Sequence, residues 1–155
     1  MSDEVRDPLN ADVGDRELTK FPLLPEGTIK RFEIRKPSKA TAKKSKSGQP
    51  SEMIVLPCHL AEDATSTEGQ TINKGWPVYH RITVTVTEKR DARAIAGDVA
   101  KWCQAAGVKG VKVSEVIADP AKYFEGKVID AKIRIVPESD GYPESNGLTP
   151  VIPAN

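Results

Sequence analysis

The stretch Trp76-Pro77-Val78-Tyr79-His80-Arg81-Ile82-Thr83-Val84-Thr85-Val86-Thr87 alternates apolar and polar side chains more regularly than any other part of the chain. Successive residues of a strand point to opposite faces, so Trp76, Val78, His80, Ile82, Val84 and Val86 form one row, and Tyr79, Arg81, Thr83, Thr85 and Thr87 the other. One row predicts a core face and the other an open face. The fold is therefore read as built on half-buried β-strands.

Working outward, residues 52–60 carry Met53, Ile54, Val55, Leu56 and Cys58 and predict a strand before this one, while residues 61–74 are polar and read as a loop. Residues 28–36 are rich in β-formers, but Ile29, Phe32 and Ile34 change parity midway, which predicts a bulge or a strong bend. Between these two strands, residues 37–51 place Lys39, Lys43, Lys44 and Lys46 among Ser, Thr, Ala, Gly and Pro with no acidic residue, a flexible basic loop. Residues 21–27 hold two prolines and open the first strand at Gly27.

On the C-terminal side, Ile95, Val99, Trp102, Cys103 and Ala106 recur at helical spacing within residues 91–106, and Gly107 supplies the left-handed cap. Residues 114–117 and 119–124 predict short helical turns, the second with Asp119 as N-cap and Pro120 at the first helical position. Residues 127–136 alternate again, with Ile129, Ala131, Ile133 and Ile135 inward and Asp130, Lys132 and Arg134 outward. The end of the chain is rich in Pro, Gly, Ser and Asn, with one short β-like patch at Val151 and Ile152.

The order strand, strand, strand, helix, strand, with a last short strand, fits a mostly β fold. It matches a five-stranded barrel of the oligonucleotide-binding type, with a helix between the third and fourth strands. An open α+β sandwich is the competing arrangement. The chain of 155 residues suits one domain, expected over residues 21–153. Residues 1–20 carry Asp3, Glu4, Asp7, Asp12, Asp15 and Glu17 with few large apolar side chains and read as a disordered acidic arm. They contain no apolar signal segment, and no stretch approaches the length of a membrane span, so a cytoplasmic protein is expected.

The formal net charge of +1 excludes a uniformly basic protein, so binding to a polyanion would need a local patch or stacking. The two histidines do not support catalysis: His80 falls in the core row, and His59 adjoins Cys58 on a strand where neighbours face apart. No Cys or His cluster has zinc-site spacing, and no phosphate-binding glycine loop or hydrolase elbow is present. No enzyme, metal or cofactor is expected. Cys58 and Cys103 read as free thiols that pack as small hydrophobes.

A single-strand binder needs cations that follow phosphates and flat side chains that stack on bases. Tyr79 and Arg81 on the open row supply both, with Trp76 reading equally as a core cap or a stacking residue. Lys39, Lys43, Lys44 and Lys46 read as a solvated surface loop or, since such barrels bind through this loop, as phosphate contacts. Lys132 and Arg134 read equally as an extension of the cationic set or as plain exterior residues. The acidic arm would either shield the basic face or recruit a partner.

Leu24-Pro25-Glu26-Gly27, Gln104-Ala105-Ala106-Gly107-Val108, Tyr123-Phe124-Glu125-Gly126-Lys127 with the strand through Ile135, and Gly141-Tyr142 followed by Asn146 carry a resemblance. In their order and spacing the chain resembles a family of phage-encoded single-stranded-DNA-binding proteins with the oligonucleotide-binding fold. The resemblance implies a protein in the infected host's cytoplasm that coats or protects single-stranded DNA during phage replication or recombination. It also implies an oligomer and replication or recombination proteins as partners. Two departures stand against it: residues 149–155 carry no acidic residue where many such binders end in an acidic tail, and aromatic residues are only 5% of the chain. The alternatives are a virion structural or assembly protein, and an adaptor that binds a host protein through the acidic arm.

Overall fold

The computed structural model describes Leu9 and residues 22–42, 50–88, 90–138 and 143–153. The acidic arm expected at residues 1–20, apart from Leu9, and Lys43, Lys44 and Lys46 lie outside these. The fold is mostly β, with an antiparallel sheet and three helices between its sixth and seventh strands.

The third strand, β3 (Ser51–Leu60), organises the sheet. Its even-numbered residues Ile54, Leu56, Cys58 and Leu60 are buried while the intervening ones are only partly covered, the period-2 burial of a strand with one face on the core. Along one edge it pairs with β6 (Pro77–Thr83), setting Ile54 opposite Ile82 and Cys58 opposite Val78. Along the other edge it meets β1 (Ile29–Ile34) and β2 (Ser38–Ala42) in succession.

That shared edge contains a bulge. Ile34 pairs with Cys58 and Ser38 with Val55, so four steps along one strand face three along the other. Arg35 N still donates to Pro57 O at 2.8 Å, which places the extra residue at Lys36-Pro37. Pro57 and Pro37 have no N–H to give, so an interrupted ladder loses least here. The bend comes later than the sequence indicates: the β1 ladder with β7 (Val128–Val136) is unbroken from Ile29 to Glu33, and Ile29 is simply on the outer face.

Three further expectations are corrected. Residues 38–42, read as loop, form an edge strand of small polar residues and one lysine, a composition with no apolar period to betray it. Within residues 61–74, β4 (Ala64–Thr65) and β5 (Thr71–Ile72) form a hairpin that buries Ala64 and Ile72 around a turn held by the Ser66 hydroxyl. The last strand, β8, is Ser145–Pro150 rather than the Val151-Ile152 patch, because the β7 ladder dictates the pairing more than local propensity does.

Helix α1 (Ala92–Ala106) starts where the Asp91 carboxylate accepts from Ala94 N at 2.8 Å and ends at Gly107, whose φ of 75° is the left-handed cap. Ile95, Val99, Trp102 and Ala105 are its buried residues, with Cys103 and Ala106 only flanking the core. Val86, expected inward, is exposed because β6 has already ended and the chain is turning into this helix. Helices α2 (Val113–Ala118) and α3 (Pro120–Phe124) contribute Val116 and Phe124 to the core.

The sheet runs β6, β3, then β1 and β2, then β7 and β8. Every step is antiparallel, so β6 and β8 run the same way, and some of their Cα atoms come within 8 Å. No ladder joins them, and the sheet is open along this seam. No helix among the described residues is long and apolar enough to cross a membrane.

The lead-in before β1 belongs to the core. Leu24 is fully buried, with its backbone N–H given to Asn146 Oδ1 at 2.7 Å and its carbonyl taking Asn146 Nδ2 at 3.0 Å. Leu24→Ala is expected to cost about 2–5 kcal/mol in chemical denaturation, as for a large core side chain; a neutral effect would remove the lead-in from the cooperative unit.

Candidate nucleic-acid interface

The phase of hydrogen bonding along β6 decides what its free edge offers. Leu60 N donates to Trp76 O at 2.9 Å and Val84 N to Glu52 O at 2.9 Å, so the even-numbered residues of β6 spend their main-chain groups on β3. Pro77, Tyr79 and Arg81 turn theirs to the open edge, where a proline costs no hydrogen bond. On β8, Val151 N donates to Asp130 O, so its odd-numbered residues bond β7 and the even ones face the seam. Pro150 again sits with its missing donor on the open side. Both free edges thus carry a proline where a ladder would need an N–H.

A groove of about 300 Å³ lies at this seam. One wall is Trp76 and the strand β6 that follows it, through Val78, Tyr79 and Arg81, and the other is Pro22, Leu23, Ser145 and Asn146. Asn146 fixes the second wall, since its side chain holds Leu24 and reaches Arg134 O at 3.3 Å. Gly75, with φ 93°, turns the chain into Trp76, which packs partly against the core with its remaining surface in the groove. Tyr79 is 51% exposed, as expected for the open row.

Arg134 reaches toward the same place. It pairs across from Gly147 on β8, and a Cβ added at Gly147 would sit 3.0 Å from Arg134 Nη2, so the missing side chain is what lets the guanidinium lie over the strand. Its charge is felt by His80 on β6. Arg31, Arg35 and Arg90 are paired with Asp130, Glu33 and Asp98 respectively. Among the described residues, neither Arg81 nor Arg134 has a carboxylate within ion-pair distance.

The structure does not gather all the expected residues. Lys39 faces the same way as its buried partner Ile54, whereas Arg81 lies opposite Val55 on the other face. Lys39 lines a separate depression of about 170 Å³ with Glu52, Val84 and Ile117. Lys132 is on the outer face between Ile29 and Thr149. Trp76, Tyr79 and Arg81 come together with Arg134 beside them. Pro22, Leu23 and Asn146 were missed as groove residues; only the Asn146 position had any signal, as part of the family resemblance.

His80 is the one polar member of the inner row. Its ring stacks on Trp102 with centroids 4.3 Å apart, and burial, aided by the Arg134 charge and opposed by Asp98, lowers its pKa to about 4. Cys58 is buried, and burial pushes its thiol up to about 12, away from the reactive thiolate form. His59 turns the other way, its Nδ1 lying 3.0 Å from Gly75 O. Among the described residues, no three His, Cys, Asp or Glu side chains converge as metal ligands would.

No protein-family model matches the chain, and no curated protein does. The functional reading rests on the groove and its surroundings.

A histidine kept neutral by folding ties stability to pH. Unfolded, His80 takes up a proton near its ordinary value of 6.5; folded, it resists until about 4, so stability is full above 6.5 and is lost as pH falls through that window. The loss by pH 4 is on the order of 3 kcal/mol. Denaturant titrations at pH 7 and 4.5 should show a smaller drop for His80→Phe, which keeps a ring on Trp102 without the titration. An identical drop in both proteins would place the acid sensitivity elsewhere.

Proposed function

We propose that this protein binds single-stranded DNA with little sequence preference, coating or protecting it during phage genome replication or recombination. The observation that carries the reading is the groove at the seam: an exposed Tyr79, a half-buried Trp76 and Arg81 line it, and Arg134 lies beside it. Stacking on an aromatic face accepts any base, and arginines with no carboxylate partner among the described residues are available to phosphates. At about 300 Å³ the groove is at the small end of ligand sites, a volume suited to one or two unstacked bases.

The strand order supports a finer reading of the fold as an oligonucleotide-binding-type barrel, with β1 and β2 as its bent first strand and β6 and β8 as its closing edges. In that reading Lys43, Lys44 and Lys46 belong to the stretch of sequence between Ala42 and Ser51, the last pair of the β2–β3 ladder. The Ala42–Ser51 pair is four residues along β3 from the Val55–Arg81 pair, roughly 13 Å.

Anisotropy of a labelled oligothymidine across a salt series, with matched duplex DNA as competitor, tests this. Tight binding to the single strand that weakens linearly in log salt is expected, and no binding at low salt would overturn the function. Tyr79→Ala should cost about 1–3 kcal/mol, a loss of roughly five- to 150-fold in affinity. Arg81→Ala and Arg134→Ala should each flatten the salt slope by about 0.7. If both arginine variants keep the wild-type slope, the phosphate track lies elsewhere.

A further inference from the structure

The groove is bounded by Pro22, where the described lead-in begins, so the preceding sequence is joined to the fold at the groove wall. Residues 1–21 carry six carboxylates against three basic side chains. Arg81 is the charged residue lining the groove; among the described residues no carboxylate lines it, and Arg134 adds a second positive charge nearby. The remaining lining is largely apolar, including Leu23, Trp76 and Val78. The stretch before the groove, residues 10–21, has Leu18 and Phe21 among Asp12, Asp15 and Glu17, with Arg16 and Lys20 leaving it one net negative charge. Asp3, Glu4 and Asp7 against Arg6 add two more.

From this complementarity we propose that the acidic N-terminal segment seats in the seam groove of its own chain, covering Trp76 and Tyr79, and is displaced by single-stranded DNA. The seating concerns the groove alone; the competition rests on the function proposed above. Reach is no obstacle, because each extended residue spans about 3.3 Å and the segment starts at the groove wall. Tethering also keeps its effective concentration high, so weak apolar and ionic interactions suffice. The carboxylates then occupy the place of the phosphates. Salt should release the segment, since screening shortens the reach of its charges to about 10 Å at 0.1 M.

The two tryptophans make the test direct. Trp102 is 2% exposed and shielded from a polar quencher, so acrylamide quenching of the full chain reads Trp76 in the groove. The comparison is wild type against D12N/D15N/E17Q, both full length, at low and high salt. The expected result is a quenching constant about twofold higher in the variant at low salt, with wild type rising to meet it at high salt. Oligothymidine affinity at low salt should be several-fold tighter for the variant. Equal quenching of the two proteins at low salt overturns the seating, whatever the DNA result. Protection of Trp76 that grows with protein concentration also overturns it, because the segment would then be acting on another copy. A quenching difference without DNA binding by either protein keeps the seating and removes the DNA function.

Discussion

Main-chain hydrogen bonding along β3 is the constraint on which the architecture turns. Ten residues long, this strand has β6 along one edge, and its other edge must be satisfied by a single run of chain that is also needed beside β7. Buried main-chain groups without partners cost too much for either neighbour to be left out. The one-residue bulge at Lys36-Pro37 resolves the conflict: β1 serves β3 and β7 together, and β2 then continues along β3 alone. Once β2 has parted from β7, the sheet curls, and β8 is carried round toward β6 with its edge free. The seam, and therefore the groove, follows from where two prolines permit an interrupted ladder.

Elements with one apolar face were legible from the sequence, and elements without one were not. The rows of β6 and β7 and the stripe of α1 show in the alternation or helical recurrence of apolar side chains, because burial of one face is what creates those periods, while β3 shows only as an apolar run that hides which face is buried. The edge strand β2, built from Ser38, Lys39, Ala40, Thr41 and Ala42, has no such face and is specified by its partner. The same holds for β8, where Leu148 is the single buried hydrophobic residue. Ile29 acts in the opposite direction: an exposed isoleucine mimics a change of parity, although apolar residues outside are ordinary and an unbroken ladder runs past it.

The candidate site divides along the same line. Tyr79 and Arg81 could be read as outward because they lie off the apolar row of their own strand. Their neighbours across the groove are remote in sequence: Asn146 holds Leu24 across 122 residues, and no local pattern announces such a clasp. The effect of Gly147 is equally silent. Its φ is unremarkable, and its role lies in the space it leaves for the Arg134 guanidinium. Lysines posed the reverse problem. Residue type put Lys39 with the loop cations, whereas strand register puts it on the face opposite Arg81.

His80 joins the two halves of this account. It occupies a core position between Tyr79 and Arg81, and its neutral ring covers Trp102 at 4.3 Å while the residues on either side face the groove. A charged ring there would set a third positive charge beside Arg81 and Arg134, yet would have to be desolvated to do so, and burial together with Arg134 prevents it near neutral pH. The groove therefore draws its charge from arginines, which do not titrate, while the histidine between Tyr79 and Arg81 stays neutral on the core side. Affinity for a polyanion at such a surface would depend on salt far more than on pH between about 6 and 8, which separates this arrangement from one that uses histidine protonation to hold phosphate.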